Sequence, residues 1–572
     1  MTVSEATARW VCVLGSACLA LAAAPAPPPS FSYQVAPIVE NGAVTALSVS
    51  VTFRGPATGT LRFDLPDKSE GQVERWRFLT DFQVHGATIA APDPATRMLA
   101  FKPGARVTLR YTVRSAYAAE PVGTDGNPYR GAILRPGWFA SLGEYVFAVP
   151  HDGENWPATF RWGPLPMGWT AASDLEHGGI GRAMTVHDIG ESALLGGADV
   201  ALYRRSIPGG ELRIAVRGTW SFSPTHLADI LSRTVAAQRA FWGGDVKGPY
   251  LVTLFPLTGA GSSGGTGRSY GFALYGTPDT SEAIFSRTMA HEHMHSWIPS
   301  RVGTLSDGQG EPADYWFSEG FTEFYTERTL LRSGIWPLEE FVGDLNDRLL
   351  AYDISPVRNA PNARIVKDFW TDENVSQLPY QRGLLLAYLW DRRLRDAGKG
   401  NLDSVMFAAR DTYVAAQVKP RAVANFLAAC ARTGIDLSPD LARNVDAGDT
   451  VTLPGDLFGD CASVRTLEIP TYDAGFDREK SAAAGIIAGV DPLGPAYAAG
   501  LRDGMRRIGR EGGKEGDARV KLGYRVVDAS GQERLIAYLP AGRGIQTVQT
   551  VELAPRLTPA KRAACARQMS GG

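Results

Sequence analysis

Cysteine is scarce in this sequence, and its spacing excludes a cysteine-ligated metal centre. The chain has five cysteines among 572 residues. Cys12 and Cys18 fall in a leading apolar segment, so Cys430, Cys461 and Cys565 remain, without the spacing of metal ligands. One disulfide and one free thiol would suit an oxidising compartment, but the spacing leaves the pairing open.

Charge of one sign and long apolar runs are also scarce. The formal net charge is −2, so no basic excess is available to neutralise phosphates, and we expect no nucleic-acid partner. After the leading segment, no run is long and apolar enough to span a bilayer. Apolar residues make up 44% and charged residues 21%, which is typical of a soluble globular protein with room for several domains.

The leading segment, residues 1–26, is typical of a secretory signal. Arg9 precedes an apolar run over residues 10–24, and small residues follow it. A short apolar region with a small-residue end suits export better than membrane spanning, although an uncleaved anchor is the alternative. The sequence therefore predicts a periplasmic or secreted protein that begins near residue 25 to 27.

The remaining chain divides into three predicted regions. Residues 27–215 contain segments that alternate apolar and polar residues, such as 47–51 and 107–113, which predicts a β-sandwich-like domain. Residues 216–450 show helical periodicity with a few buried strands, which predicts an α+β domain. Residues 466–557 return to short strands and Gly-rich turns, which predicts a small β domain.

The α+β region contains two helices of special interest. The first is expected to begin after Thr280 or Ser281 as N-cap and to run to Trp297. The second is expected over residues 314–333, with Gly334 as the residue that ends it. Before the first helix, the pattern predicts a Gly/Ser-rich loop over residues 259–267 and a short apolar piece over residues 270–275.

The first helix carries a metal-binding pattern. His291 and His295 are four residues apart, so on a helix both imidazoles lie on one face and can bind one zinc ion (Zn²⁺). Glu292 follows the first ligand and can take a proton from the attacking water as general base. His293 is expected to face away from the metal.

The second helix and a later segment supply the other candidates. A catalytic zinc site needs a third protein ligand and one open position, and Glu319 is the best candidate. Glu323 lies one turn further along and can accept a hydrogen bond from a ligand histidine. Tyr380 can donate a hydrogen bond to the oxyanion of a tetrahedral intermediate.

Three motifs carry a family resemblance: His291-Glu292-His293-Met294-His295, Trp316-Phe317-Ser318-Glu319-Gly320-Phe321-Thr322 and Tyr380-Gln381-Arg382-Gly383. With this spacing the chain resembles the gluzincin zinc metallopeptidases, and in particular the glycyl aminopeptidase family. The resemblance implies a thermolysin-like catalytic domain, bound zinc and hydrolysis of peptide substrates from the N-terminus, with a preference for small first residues. It also implies that Tyr380 is the oxyanion-stabilising tyrosine.

The resemblance extends to the C-terminal region. Residues 495–504 look like the helix-and-turn stretch of a PDZ domain, and Gly475 and Phe476 resemble part of its ligand-binding loop. Members of the family carry such a domain after the catalytic one. Here Met505 stands where an aspartate is common, so a purely structural role is the alternative to peptide binding.

One departure affects substrate specificity. In the family, a Gly-rich strand before the zinc helix carries a glutamate that binds the free α-amine of the substrate. The stretch interpreted as its counterpart, residues 271–275, has no acidic residue. An endopeptidase or another amide hydrolase is therefore the alternative to an aminopeptidase. A non-catalytic peptide-binding protein is disfavoured because Glu292 is present. The oligomeric state stays open.

Overall fold

A computed structural model describes residues 29–67, 72–123, 127–177, 183–243 and 248–571 of the chain. The predicted signal, residues 1–26, lies outside the described residues. The protein is a multi-domain, mixed α/β molecule.

The N-terminal region is built from three sheets. Its strands are β1 (Phe31–Glu40), β2 (Ala43–Arg54), β3 (Thr60–Asp64), β4 (Leu79–His85), β5 (Ala87–Ala90), β6 (Thr96–Phe101), β7 (Arg106–Val113), β8 (Ile133–Arg135), β9 (Trp138–Leu142), β10 (Val149–Pro150), β11 (Ala158–Trp162), β12 (Thr170–Ser173) and β13 (Ala193–Gly197), with the short helix α1 (Val186–Gly190). The sheets β11-β1-β2-β7-β4 and β10-β3-β6-β5 bury alternate residues in a shared core. The third sheet, β12-β13-β9-β8, packs against the α+β region that follows it in the chain. This region begins with strand β14 and is called the catalytic region because the sequence predicts the metal site there.

The catalytic region has a five-stranded sheet. Its strands are β14 (Ala201–Ile207), β15 (Gly210–Val216), β16 (Tyr250–Pro256), β17 (Ser263–Arg268) and β18 (Gly271–Gly276), in the order β14-β15-β16-β18-β17. The central strands β15, β16 and β18 are parallel, and β14 and β17 are antiparallel at the two edges. The predicted boundary at residue 215 divides this sheet, because β14 pairs with β15 and β15 pairs with β16 rather than with the N-terminal sheets.

One element predicted as a loop is a strand. The segment 259–267 was expected to be irregular because glycine is depleted in strands, but β17 pairs with β18 along its full length. Side chains at Gly264 and Gly265 would collide with the rings of Tyr275 and Phe272, so glycine is what allows the close pairing.

The catalytic region also contains helices α2 (Pro224–Trp242), α3 (Glu282–Met294), α4 (Tyr315–Arg332), α5 (Leu338–Ile354), α6 (Asn362–Asp368), α7 (Glu373–Asp396), α8 (Leu402–Ala415), α9 (Ala422–Arg432) and α10 (Ser438–Asp440). The hydroxyl of Ser281 caps α3, and Gly334 follows α4 with a φ of 66°. Helix α3 ends at Met294 rather than at Trp297, with His295 as its C-cap.

The C-terminal region is held on the catalytic region by a two-stranded ribbon. Strands β19 (Ala462–Tyr472) and β23 (Ala541–Leu553) form this ribbon, and between them lie α11 (Arg478–Ala484), α12 (Pro495–Ala498), β20 (Arg506–Lys514), β21 (Asp517–Val527) and β22 (Glu533–Tyr538). Asn346 of α5 exchanges hydrogen bonds of 3.0 and 2.6 Å with the backbone of Val551. The final helix, α13 (Pro559–Met569), is joined to the start of the ribbon by the disulfide Cys461–Cys565, and Cys430 is a buried free thiol.

Within the described ranges, none of the helices combines the length and the apolarity that crossing a bilayer requires.

Candidate active site

Helices α3 and α4 lie antiparallel and bring their polar faces together. Arg287, near the middle of α3, contacts Glu323, while His295, at its end, contacts Glu319 one turn earlier on α4. Rising residue number on one helix thus matches falling residue number on the other. This is the arrangement that allows a glutamate on the second helix to point back at the two histidines of the first.

The three predicted metal ligands converge on one point. The ligand atoms of His291, His295 and Glu319 all lie within 4.8 Å of one another. The two Nε2 atoms are 3.2 Å apart, and Glu319 Oε2 is 3.2 Å from His291 Nε2 and 3.4 Å from His295 Nε2. Two imidazole nitrogens and one carboxylate oxygen are a donor set that suits zinc and leaves a fourth position for water or substrate.

The other ring nitrogens of the two histidines lie close to polar groups outside the cluster. His295 Nδ1 donates to the carbonyl of Ile298 at 2.7 Å, which directs Nε2 toward the centre of the cluster. His291 Nδ1 lies 3.2 Å from Glu323 Oε1, so Glu323 sits where a carboxylate that orients this imidazole belongs. Ser318 donates to Glu319 Oε1 at 2.8 Å, which leaves Oε2 for the metal.

A buried charge network behind Glu323 was not predicted from the sequence. Arg287 pairs with Glu323 and, through Nε at 3.0 Å, with Asp344 on α5, and Arg348 lies 3.7 Å from Glu323. Although burial acts to raise the pKa of Glu323, the charges of Arg287 and Arg348 hold it well below its usual range. Arg287 is one turn before His291 on α3, and that spacing is the only signal in the sequence that could have suggested its role.

Tyr380 reaches the cluster because α4 and α7 approach very closely. Its ring lies 5.9 Å from the ring of His291, at an interplanar angle of 26°. A side chain on Gly320 would collide with the backbone of Gly383, and one on Gly383 would collide with the carbonyl of Trp316. Burial, together with the carboxylates of Glu319 and Glu292, keeps the pKa of the Tyr380 phenol well above its usual value, so the hydroxyl retains its proton.

Glu292 faces the edge of the five-stranded sheet. A Cβ on Gly267 of β17 would lie 3.8 Å from Glu292 Oε2, which makes β17 the strand that flanks the site. The sequence interpretation chose residues 271–275, but these form β18, a fully buried interior strand. Burial raises the pKa of the Glu292 carboxyl, although His291 and His295 oppose the rise.

His293 faces away from the cluster, as its helical position predicts. It is fully buried, and its Nδ1 donates to the side-chain oxygen of Gln238 at 2.6 Å. Its ring makes edge contacts with Tyr250 and Trp297, at centroid distances of 5.0 and 5.2 Å. His293 therefore contributes to packing rather than to the metal site.

A known protein family matches the segment that contains helices α3 and α4. A family model described as M61 glycyl aminopeptidase matches residues 284–376, which include both histidines, Glu292 and Glu319 but not Tyr380. Among curated proteins, no sequence matches this chain significantly.

Solved structures extend the comparison to the fold. An aminopeptidase N family protein from Idiomarina loihiensis has a TM-score of 0.66 at 15% identity, covering 94% of this chain and 100% of its own. An M1 zinc metallopeptidase from Deinococcus radiodurans has a TM-score of 0.47 at 18% identity, covering 75% of this chain and 95% of its own. The first of these likenesses shows that the fold is shared across nearly the whole chain.

The helix that carries the metal-binding motif therefore lies inside the segment that the family model matches. The match over this segment confirms the resemblance to the glycyl aminopeptidase family. Together with the cluster of His291, His295 and Glu319, it supports a zinc metallopeptidase with aminopeptidase-like hydrolysis of peptides.

Proposed function

We propose that His291, His295 and Glu319 hold the zinc ion, that Glu292 is the general base, and that Tyr380 stabilises the oxyanion. The observation that carries this proposal is the convergence of three ligand atoms within 4.8 Å of one another, two of them from histidines at the end of the helix that also bears Glu292. Glu323 is proposed to orient His291. Glu292 and the ring of Tyr380 both border the cluster, so the groups needed for hydrolysis lie around one point.

The chemistry follows from these positions. When bound, zinc supplies a Lewis acid that favours ionisation of water and polarises a carbonyl oxygen. Glu292 takes the proton of the attacking water and returns it to the leaving amine. Tyr380 donates its phenolic hydrogen to the oxygen that becomes negative during attack, and a donor aimed at developing charge stabilises the transition state more than the bound substrate.

Strand β17 is the proposed guide for the substrate backbone. It is an edge strand whose sheet partner is β18, and a Cβ on its Gly267 would lie 3.8 Å from Glu292 Oε2. An extended peptide can add to such an edge through main-chain hydrogen bonds. Because Gly267 has no side chain, the peptide can approach the catalytic carboxylate closely.

Strand β17 lacks the acidic residue with which the family binds the free α-amine of a substrate. Strand β17 reads Ser-Gly-Gly-Thr-Gly-Arg and carries no carboxylate. Arg268 pairs with Glu144 and Glu191, each at 3.3 Å, and therefore occupies the two carboxylates beside this strand. Asp279 accepts a hydrogen bond from Gly261, and Glu282 pairs with His226 across the start of α3.

We therefore expect N-acetylation of a short Gly- or Ala-starting peptide to change kcat/KM by less than about tenfold, because the carboxylates described beside β17 and at the start of α3 already have partners. The measurement compares hydrolysis of the free and acetylated peptides, with the Glu292→Gln variant as background. Similar rates would favour an endopeptidase or blocked-peptide hydrolase. Loss of cleavage on acetylation would contradict the expectation, and Glu144→Gln would then identify the anion. If zinc is bound and neither peptide is cut, a different amide substrate is indicated.

Tyr380→Phe tests the oxyanion role. We expect kcat to fall by roughly 10²–10³ with little change in KM, because the lost hydroxyl acts mainly in the transition state. Tyr388→Phe is the matched control, since Tyr388 lies on the same helix but donates to Glu327 at 3.2 Å. A rise in KM alone in the Tyr380 variant would make this residue a substrate contact instead.

The C-terminal region, residues 466–557, is proposed to be a PDZ-like domain with a structural role. After Gly475 and Phe476 the chain forms helix α11, so no strand edge follows this loop to which a peptide could add. Met505 packs against the core of the domain. The ribbon β19–β23 contacts α5. Because Asp344 of α5 pairs with Arg287, this contact connects the domain to the ion pairs beside the metal ligands.

Export is proposed from the leading segment and is supported by the disulfide Cys461–Cys565, since such bonds persist in oxidising compartments. We expect the mature protein to be found outside the cytoplasm and to begin near residue 25 to 27, because the apolar run ends there. N-terminal sequencing of the soluble protein is the measurement. A start at residue 1 or 2 would contradict export by cleavage.

A further inference from the structure

A polar pocket of about 290 Å³ lies in the N-terminal region, and none of its lining residues belongs to the active site. One wall includes Arg75 and Arg77 of the helical turn Arg75–Phe78, and the other is formed by residues 116–117, 121–122, 127–128 and 130. The polar side chains that line it are Gln72, Arg75, Arg77, Tyr117, Asn127 and Arg130. The lining residues that the structure describes thus include three arginines and no aspartate or glutamate.

Among the described residues, these arginines differ from their neighbours in having no acidic partner. Nearby, Arg114 pairs with Asp81 at 3.4 Å and Arg135 with Glu120 at 3.7 Å. Within the ranges that the structure describes, Arg75, Arg77 and Arg130 form no ion pair. Burial lowers the pKa of Arg75, Tyr145 and Tyr117 oppose this shift, and the charge of Arg77 adds to it. Three positive charges around one small pocket repel each other, so an anion placed among them is stabilised.

The most informative of the three is Arg75. Its side chain is only 6% exposed, and its Nε, like that of Arg130, is buried without a hydrogen-bond acceptor among the described residues. Removing an unpaired charge from water is costly. The rings of Phe78 and Tyr145, at 5.1 and 5.5 Å from the guanidinium carbon, offset part of this cost by cation–π attraction.

A glycine lies directly beside the guanidinium of Arg75. A Cβ on Gly131 would collide with Arg75 Nη2, so a glycine at this position is what admits the charged group. A buried donor fork, held by two rings and open to a pocket, is pre-organised for a planar or tetrahedral oxyanion.

We propose that this arginine pocket binds the carboxylate or phosphate group of a small molecule. Guanidinium groups bind both oxyanions through paired N–H donors. The volume lies at the lower end of the range for ligand pockets, about 300–1,000 Å³, which favours a small ligand over a long peptide. Gln72 adds a neutral amide that can bond the rest of the ligand.

The test uses the full mature protein and two probes, inorganic phosphate and succinate, in calorimetric titrations at constant ionic strength. We expect saturable binding of at least one probe at one site per chain. The dissociation constant should rise at least about tenfold in Arg77→Gln and in Arg130→Gln, since each removes a charge-assisted donor. Binding of phosphate alone assigns a phosphate ligand, and binding of succinate alone assigns a carboxylate.

The control is Arg110→Gln, an exposed arginine on β7, which should bind as the wild type does. Arg77→Gln is the primary variant because Arg77 is exposed, so folding does not depend on it as it does on Arg75. Peptidase activity, measured in parallel, should be retained in the Arg77 and Arg130 variants, which separates this site from the zinc site. The proposal is overturned if neither probe binds saturably or if both variants bind as the wild type does.

Discussion

Replacing Glu292 with glutamine is expected to leave zinc bound and to lower turnover by roughly 10²–10⁴, the range that a positioned general base contributes. Glu292 is not among the three residues whose ligand atoms converge, so its amide should not disturb metal binding. The amide cannot accept the proton of the attacking water, and both halves of the reaction lose their proton carrier.

Zinc content and peptide hydrolysis should be measured on the same preparation of the Glu292→Gln variant. Glu282→Gln is a suitable control, because Glu282 lies in the first turn of the same helix and pairs with His226 at 2.8 Å, away from the cluster. Activity like that of the wild type in Glu292→Gln would remove Glu292 from its role. Loss of zinc together with activity would instead make Glu292 part of metal binding.

Alanine at any one of the three ligand positions is expected to strip the metal. His291→Ala, His295→Ala and Glu319→Ala each leave two protein donors where a catalytic zinc site needs three. Purified wild-type protein should contain about one zinc per chain, and each variant much less, with activity lost in proportion. Metal analysis after dialysis is the measurement, and full zinc occupancy in all three variants would overturn the assignment.

Two further variants separate ligands from their surroundings. His293→Gln should retain zinc, because this third histidine of the motif donates to Gln238 and faces the core. Glu323→Gln should bind zinc about 10–100-fold more weakly without losing it, since it orients His291 from 3.2 Å rather than binding the metal. Equal zinc affinity in Glu323→Gln and the wild type would show that Arg287 and the helix alone hold the imidazole.

Local features of the site could be read from the sequence because neighbouring residues encode them. On a helix, residues four apart share a face, so the spacing of His291 and His295 implied a common ligand direction before any fold was known. The N-cap at Ser281 and the helix end at Gly334 could likewise be predicted. A serine hydroxyl can cap a helix, and a glycine readily adopts the positive φ that ends one. The direction of His293 followed from the same periodicity.

The ion pairs that surround the metal ligands could not be predicted from local sequence. Which residue pairs with Glu323 depends on which helices meet, and α5 contributes Asp344 only because it packs beside α3. The pairing of Cys461 with Cys565 rather than Cys430 is equally non-local, since it requires the last helix to return to the start of the ribbon.

The sequence by itself determined which groups are available for chemistry: two histidines and a glutamate on one helical turn, with acids and a tyrosine on later helices. Only the tertiary structure decided which strand flanks that chemistry and how closely the helices approach. Strand β17 was taken for a loop because its glycines have low β-propensity, yet the absence of side chains is what lets it pair with β18 beside Glu292. Gly320 and Gly383 gave no signal of their own, because contact between two helix backbones depends on residues far apart in the chain.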